Sequence, residues 1–410
     1  GIVLVLSAVC AACGHGGSEP ETRAVATRTD SAGVEIVVSE VPPDGAPAFA
    51  EVDPGPALRL GSLDGPEEEQ FGSIADVAPL ADGGVAILDR QAAQVRLFDA
   101  EGAYLGALGS RGEGPGEFMS PSDLARLAGD TFAVYDARAR RVTRYPADGG
   151  DPDVRTLRGG GRSAPLVVDF LPDGRVVGAT RWSNPDRSVP KEGEDLFSQD
   201  SAVIGVYSAQ GDFADTAAVI PDREVLVKIM RAGQAINVLM APTAFARRGV
   251  FAAHPEGVWA GFGDRWEIRL HDASTGAVRR ILRAPGLERA LTEDEMDAVH
   301  QTAMAQDTTP AQRERTATWW DLSPRPEIRP TYDRALVDAG ARLWLREWPG
   351  ADEAHQRWWV FGEGGDLLGH VDAPEGVTFL AVSGDDAWGV LRDDFDVQYV
   401  VRYGLSATPP

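Results

Sequence analysis

The sequence predicts an all-β fold, a six-bladed β-propeller with a short helical insertion between its fourth and fifth blades. Three observations carry the prediction. Residues 71–102 and 118–149 align without a gap at an offset of 47 residues, which sets Phe71 on Phe118, Asp76 on Asp123, Asp89 on Asp136, Val95 on Val142 and Phe98 on Tyr145. A period of this length, built from strand-like pieces, marks propeller blades. Within each repeat, short apolar runs alternate with turns such as Asp82-Gly83-Gly84 and Asp99-Ala100-Glu101-Gly102, where Gly supplies the positive φ that hairpins need. Between residues 34 and 405, six such units leave roughly 90 residues over, and three stretches outside the pattern (181–201, 220–243 and 284–331) take these up. A seventh unit would leave too few.

The elements follow in chain order. Residues 1–12, GIVLVLSAVCAA, contain an apolar run too short to span a bilayer, for which about 20 residues are needed, but suited to the apolar core of a secretory signal. The chain opens on Gly with no basic stretch before the run, so the signal is expected to lack its first few residues. Ala11-Ala12-Cys13-Gly14 resembles a bacterial lipobox and makes Cys13 the predicted lipidation site, ahead of Cys10, which follows the bulky Val9. A plain secretory signal cleaved near Ala12 is the alternative. Residues 13–33 are small and polar without an apolar period, and predict a flexible tether.

The propeller is expected over residues 34–405. The first repeat divides into strands at 74–79, 85–88, 95–98 and 103–108. Further units open at 118, 166, 249, 334 and 377. The last one ends after its third strand, 397–403, and a tail, 406–410, follows. Its fourth strand is expected from the N-terminal side, because residues 57–62 precede Phe71 as 105–110 precede Phe118. Closing the ring in this way removes an open sheet edge. In the insertion, 284–331, Thr292-Glu293-Asp294-Glu295 is a capping box, and Met296, Val299, Ala303 and Met304 recur after it at helical spacing. One helix of about 14 residues is predicted there, followed by Trp319 and Trp320 and a Pro-rich stretch.

Gly112-Glu113-Gly114-Pro115-Gly116-Glu117-Phe118, with Pro121 three residues on, resembles the junction between NHL repeats, and so does Asp136 followed by Arg141-Val142 and Tyr145. The body is similar to the six-bladed, NHL-like propeller lipoproteins of bacteria. The pattern is sharp in the first two repeats and blurred in the other four, and Gln94 stands where it expects Arg. The resemblance implies the fold and says little of activity. It also implies that Asp89 and Asp136 are structural, accepting backbone hydrogen bonds in their loops.

Composition and motifs narrow the function. With 63 acidic against 39 basic side chains, the net charge of −24 argues against a nucleic-acid partner. Both cysteines lie in the N-terminal segment, so no disulfide framework is expected. The histidines show neither an i, i+4 pair nor an HExxH, and His254 and His271 read as solvated loop residues. There is no Gly-x-Ser-x-Gly elbow and no P-loop. No metal site or cofactor is predicted.

Asp76, Asp123 and Asp169 take one recurring place on the innermost strand of three successive blades. They could form an arc of carboxylates at a channel mouth able to hold a cation, or each could cap a turn or pair with an arginine of the neighbouring blade. The matching places in the other blades fall near Gly249, Arg334 and Thr378, so the ring of acids is incomplete. Trp319 and Trp320 offer a lid or partner platform, or simply pin the insertion to a blade. The smaller insertion, 220–243, could meet it across the same face.

These readings predict a non-catalytic binding or scaffold module for a protein, peptide or glycan. It is expected to be a monomer in the bacterial cell envelope, touching the membrane only through its lipid anchor. A metal-dependent lactonase or lyase working at the channel mouth is the alternative.

Overall fold

A computed structural model describes residues 24–41, 45–146, 150–160, 164–182, 195–232, 235–351, 354 and 356–408. The predicted signal, Cys13, His15 and His355 lie outside the described residues.

Six antiparallel blades surround one axis. Blade 1 is Ile74–Pro79, Val85–Asp89, Gln94–Phe98 and Tyr104–Leu108, hydrogen-bonded in that order. Blade 2 is Pro121–Arg126, Phe132–Asp136, Arg141–Tyr145 and Asp153–Thr156. Blades 3 to 6 open with the innermost strands Val167–Phe170, Gly249–His254, Tyr332–Val337 and Val377–Ser383. Each innermost strand touches its neighbours, and that of blade 6 returns to that of blade 1.

The packing explains the sequence pattern. Every residue of Val85–Asp89 is buried, because blades lie face to face and cover the second strand on both sides. Such a strand reads as a continuous apolar run rather than an alternation. The six hydrophobic clusters are seams between consecutive blades; Leu88 and Val95 of blade 1, for example, meet Phe118, Val134 and Tyr145 of blade 2. The seam joining the chain ends packs Leu60, Ile74 and Phe98 against Trp388 and Val400.

The ring closes where the 47-residue offset places it. Leu58–Leu60 pairs antiparallel with the third strand of blade 6, Leu60 opposite Val400 and Leu58 opposite Arg402. Ala50–Val52 pairs with the far end of the same strand, so the fourth strand comes in two pieces. Gly61 ends the second piece at φ +131°, where a Cβ would stand 2.8 Å from the Gln398 carbonyl oxygen.

Three expectations need correction. Part of the predicted tether, Val25–Ser31, is a strand, hairpinned to Val34–Glu40, which runs parallel to Val278–Arg283 on the outer edge of blade 4. All its residues but Ala26 are exposed, so no apolar period announces it. The insertion holds two helices: α1 (Glu293–Ala305), on the predicted capping box, and α2 (Pro310–Leu322), which carries Trp319 and Trp320. A second capping box, Thr309 with Gln312, and Pro310 in the first turn start α2. Finally, His254 is not solvated: it is 1% exposed, with Nε2 3.3 Å from the Ala341 carbonyl of blade 5.

The insertions gather on one face. The third and fourth strands of blade 3, Asp195–Tyr207 and Phe213–Ala232, run far past their neighbours, and Ala235–Pro242 returns beside them. This extension and the α1–α2 insertion both leave a fourth strand and enter the next innermost strand, so both stand on the face where the innermost strands begin. They meet there: Trp319 Nε1 donates to the Pro242 carbonyl at 2.6 Å, and the Ala244 N–H donates to Ser323 Oγ at 3.0 Å.

Candidate functional site at the channel mouth

The innermost strands enclose a channel of about 790 Å³ lined by all six blades. Asp76, Asp123 and Asp169 all line it. Asp76 and Asp123 follow irregularities in strand register after Ile74 and Pro121. Each acid then accepts one bond from a sequence neighbour and one from the next blade. Asp76 accepts from the N–H of Val77 next to it at 2.9 Å and from Leu124 N–H of blade 2 at 2.8 Å. Asp169 accepts from Phe170 N–H at 2.7 Å and from Ala253 N–H of blade 4 at 2.8 Å. Asp123 accepts from Ser122 Oγ beside it and, at 3.4 Å, from Val168 N–H of blade 3. The three acids therefore latch four successive blades together. Among the described residues, no three Asp, Glu, His or Cys side chains group closely enough to hold a metal ion.

Burial pushes the Asp76 carboxyl up to about 8 and that of Asp123 up to about 7, against the hydrogen bonds, which pull both down. Burial likewise raises Asp169. Repulsion from Asp169 adds to the rise at both Asp76 and Asp123. With those values Asp76 and Asp123 keep part of their protons near neutral pH, and a protonated carboxyl can donate as well as accept.

Asp89 and Asp136 have a different task. Asp89 accepts from the N–H groups of Gly72, Ser73, Gln91 and Ala92, and Asp136 from those of Met119, Ser120, Arg138 and Ala139. Both are buried and shape their loops, as the resemblance implies.

Trp319 and Trp320 are half-buried. Trp319 uses its indole donor on Pro242. The Trp320 ring stacks on His300 at 4.5 Å, tilts against Phe245 at 5.8 Å and lies under the Arg325 guanidinium at 4.2 Å. Both rings hold the insertion in place.

The sequence reading does not find the arginines. Arg90, Arg181, Arg248 and Arg334 line the channel and come from strand ends on the decorated face. Arg334 occupies the place of Asp76: it too follows an irregularity in register, and it faces Arg346 across the sheet as Asp76 faces Leu88. Its visible signal is the broken ring of acids.

A family profile described as a 6-bladed beta-propeller matches residues 62–156. No curated protein matches the chain in sequence. Among solved structures, a Bacteroides fragilis protein assigned as exported shares 14% identity at a TM-score of 0.49, over 91% of this chain and all (100%) of that one. A second, a DUF4221 family member from Bacteroides vulgatus, shares 9% identity at 0.48, over 88% and 99%. A PQQ-bound aldose sugar dehydrogenase from Streptomyces coelicolor shares 14% at 0.44, over 88% and 99%. Likenesses at this level carry no argument about chemistry or address; the six blades stand on the strand pairing described above.

Proposed function

We propose that the protein is a non-catalytic binding module of the bacterial cell envelope, acting as a monomer, whose ligand enters the channel from the decorated face. The observation that supports this reading is the gathering of the blade 3 extension and the α1–α2 insertion at one mouth of the channel. Elaborated connections on a rigid scaffold are where recognition usually resides. A channel of about 790 Å³ suits a compact ligand, so the end of a peptide or glycan chain fits it better than the face of a folded protein. Screening the full chain on peptide and glycan arrays, then mapping each hit by hydrogen exchange, tests the reading. Protection of Gly249–His254 and Tyr332–Val337 is expected. Protection confined to the opposite face would sink it, and turnover of a lactone with added calcium or zinc would favour the enzymatic alternative.

Anchoring through Cys13 belongs to the same proposal; no helix among the described residues is long and apolar enough to cross a membrane. Expressed behind a complete signal, Cys13→Ser is expected to leave the membrane fraction. Release by Cys10→Ser instead would move the anchor to that residue.

A further inference from the structure

The decorated mouth carries more positive charge than its acids neutralise. Arg181 Nε lies 2.6 Å from Asp222, and Arg223 Nε lies 3.1 Å from Asp200. Arg247 forks onto Glu224. Arg346 grips both oxygens of Asp333 at 2.7 Å. Each of these acids has its arginine. Arg334, next to Asp333 in sequence, lines the channel, and its side chain makes no hydrogen bond or ion pair to any described residue. The side chain of Arg248, just before the innermost strand of blade 4, is likewise without a hydrogen bond or ion pair to a described residue. Burial, then repulsion from Arg346 and Arg248, lowers the pKa of Arg334, and the charges of Asp333 and Asp76 offset part of that cost.

Arg248 is exposed and keeps its hydration, but Arg334 is half-buried, and a half-buried guanidinium without a hydrogen-bond partner gains from an anion placed beside it. Burial pushes Asp76 up to about 8 and Asp123 up to about 7, which weakens, without removing, the counter-charge that the acids near Arg334 offer it. The feature is local, since the chain as a whole carries a net charge of −24.

We propose that Arg334 and Arg248 form a binding site for an oxyanion, a carboxylate or phosphate group, borne by a small ligand seated in the channel mouth. The proposal rests on the reading of the mouth as a ligand site and names the group the ligand must carry. A guanidinium fork matches the planar oxygens of such groups and binds them more strongly than a neutral donor would. Phe251, Leu336 and Leu380 line the same channel and cover the apolar part of the ligand. Asp76 and Asp123, where protonated, add donors for its hydroxyl or carbonyl oxygens.

The test is calorimetric titration of the full chain at low salt and about pH 6, with inorganic phosphate, citrate and glucuronate, and with glucose as the uncharged control. At least one anion is expected to bind, and Arg334→Gln to weaken it about tenfold or more. Arg334→Lys, which keeps the charge and loses the fork, should fall between. Arg126→Gln serves as a control, because Arg126 ends the innermost strand of blade 2 at the far mouth and pairs with Asp130. If Arg334→Gln fails to fold, Arg248→Gln, at an exposed residue, reads the same site. No anion binding at about 10 mM, or binding that neither variant moves, would overturn the proposal. Glucose binding as tightly as glucuronate, with channel protection intact, would overturn the oxyanion assignment and leave the channel as a ligand site.

Discussion

Blades 1 and 2 and the decorated blades 3 to 5 use the same positions for different ends. At the close of the second strand, Asp89 and Asp136 each gather four backbone N–H groups and fix their loops. In blade 5 that place falls to Glu347, which instead accepts from Trp359 Nε1 at 2.9 Å and faces Arg329 of the insertion at 3.7 Å. Arg329 in turn lies 3.1 Å from Glu295 of α1. On the innermost strand the contrast is sharper. Asp76 and Asp123 bind the next blade, while the Arg334 side chain, at the matching register, makes no hydrogen bond or ion pair to a described residue. A recurring polar residue in this ring is spent on the fold. Where the recurrence breaks, the side chain is released for the insertion or the channel.

The largest expected effect tests the first half of this contrast. Asp136→Ala would leave four N–H groups in a buried loop without their acceptor. Each orphaned donor costs about 1–3 kcal/mol, partly recovered by water, so a loss of roughly 3–5 kcal/mol is expected in urea or thermal melts. Glu347→Ala, which orphans one indole N–H and weakens a half-buried ion pair, should cost distinctly less. Equal losses would break the comparison, because the decorated position would then be as structural as the repeated one.

The insertion provides a middle-sized effect. Trp319 and Trp320 are half-buried and joined to Pro242, His300, Phe245 and Arg325. Replacing both with Ala should cost about 1–3 kcal/mol, below the figure for fully buried rings. The loss should be local, exposing α1 and α2 to limited proteolysis while the ring still melts as one unit. If the helices stay protected and melting is unchanged, the rings are free, and the partner platform regains its case.

The same division governs what could be read from sequence. The 47-residue offset is legible because blades 1 and 2 repeat both their buried strands and their loop aspartates, and the closing strand Leu58–Leu60 follows from that register. Val25–Ser31 is illegible because it is an almost fully exposed strand with no apolar period, held by a hairpin to Val34–Glu40, which itself is fixed by the distant strand Val278–Arg283. The start of α2 is written in Thr309-Pro310-Ala311-Gln312, but none of its residues is fully buried, so a search by hydrophobic spacing passes over it. Arg334 shows in sequence only as a gap in a series of acids. Its freedom depends on Arg346 occupying Asp333 from the adjacent strand, and no spacing rule states that.

The smallest effect concerns the channel acids and sharpens the contrast between them and Arg334. Burial raises Asp76 from 3.8 to about 8 and Asp123 from 3.8 to about 7. Between roughly pH 4 and pH 8 the folded protein therefore holds protons that the unfolded chain has released. Stability is expected to fall as pH rises through that window and to level off above it. The slope should be modest, because these carboxyls face a channel that water can enter and each still accepts two hydrogen bonds. Asp76→Asn, which mimics the protonated form, should remove part of the slope at little cost near pH 5. Urea melts at about pH 5, 7 and 9 measure this directly. Stability that rises between pH 5 and 8 would mean that the acids are ionised in the folded state. Arg334 would then have its counter-charge already in the channel, and the contrast between a latching acid and a free arginine would collapse into one ion network.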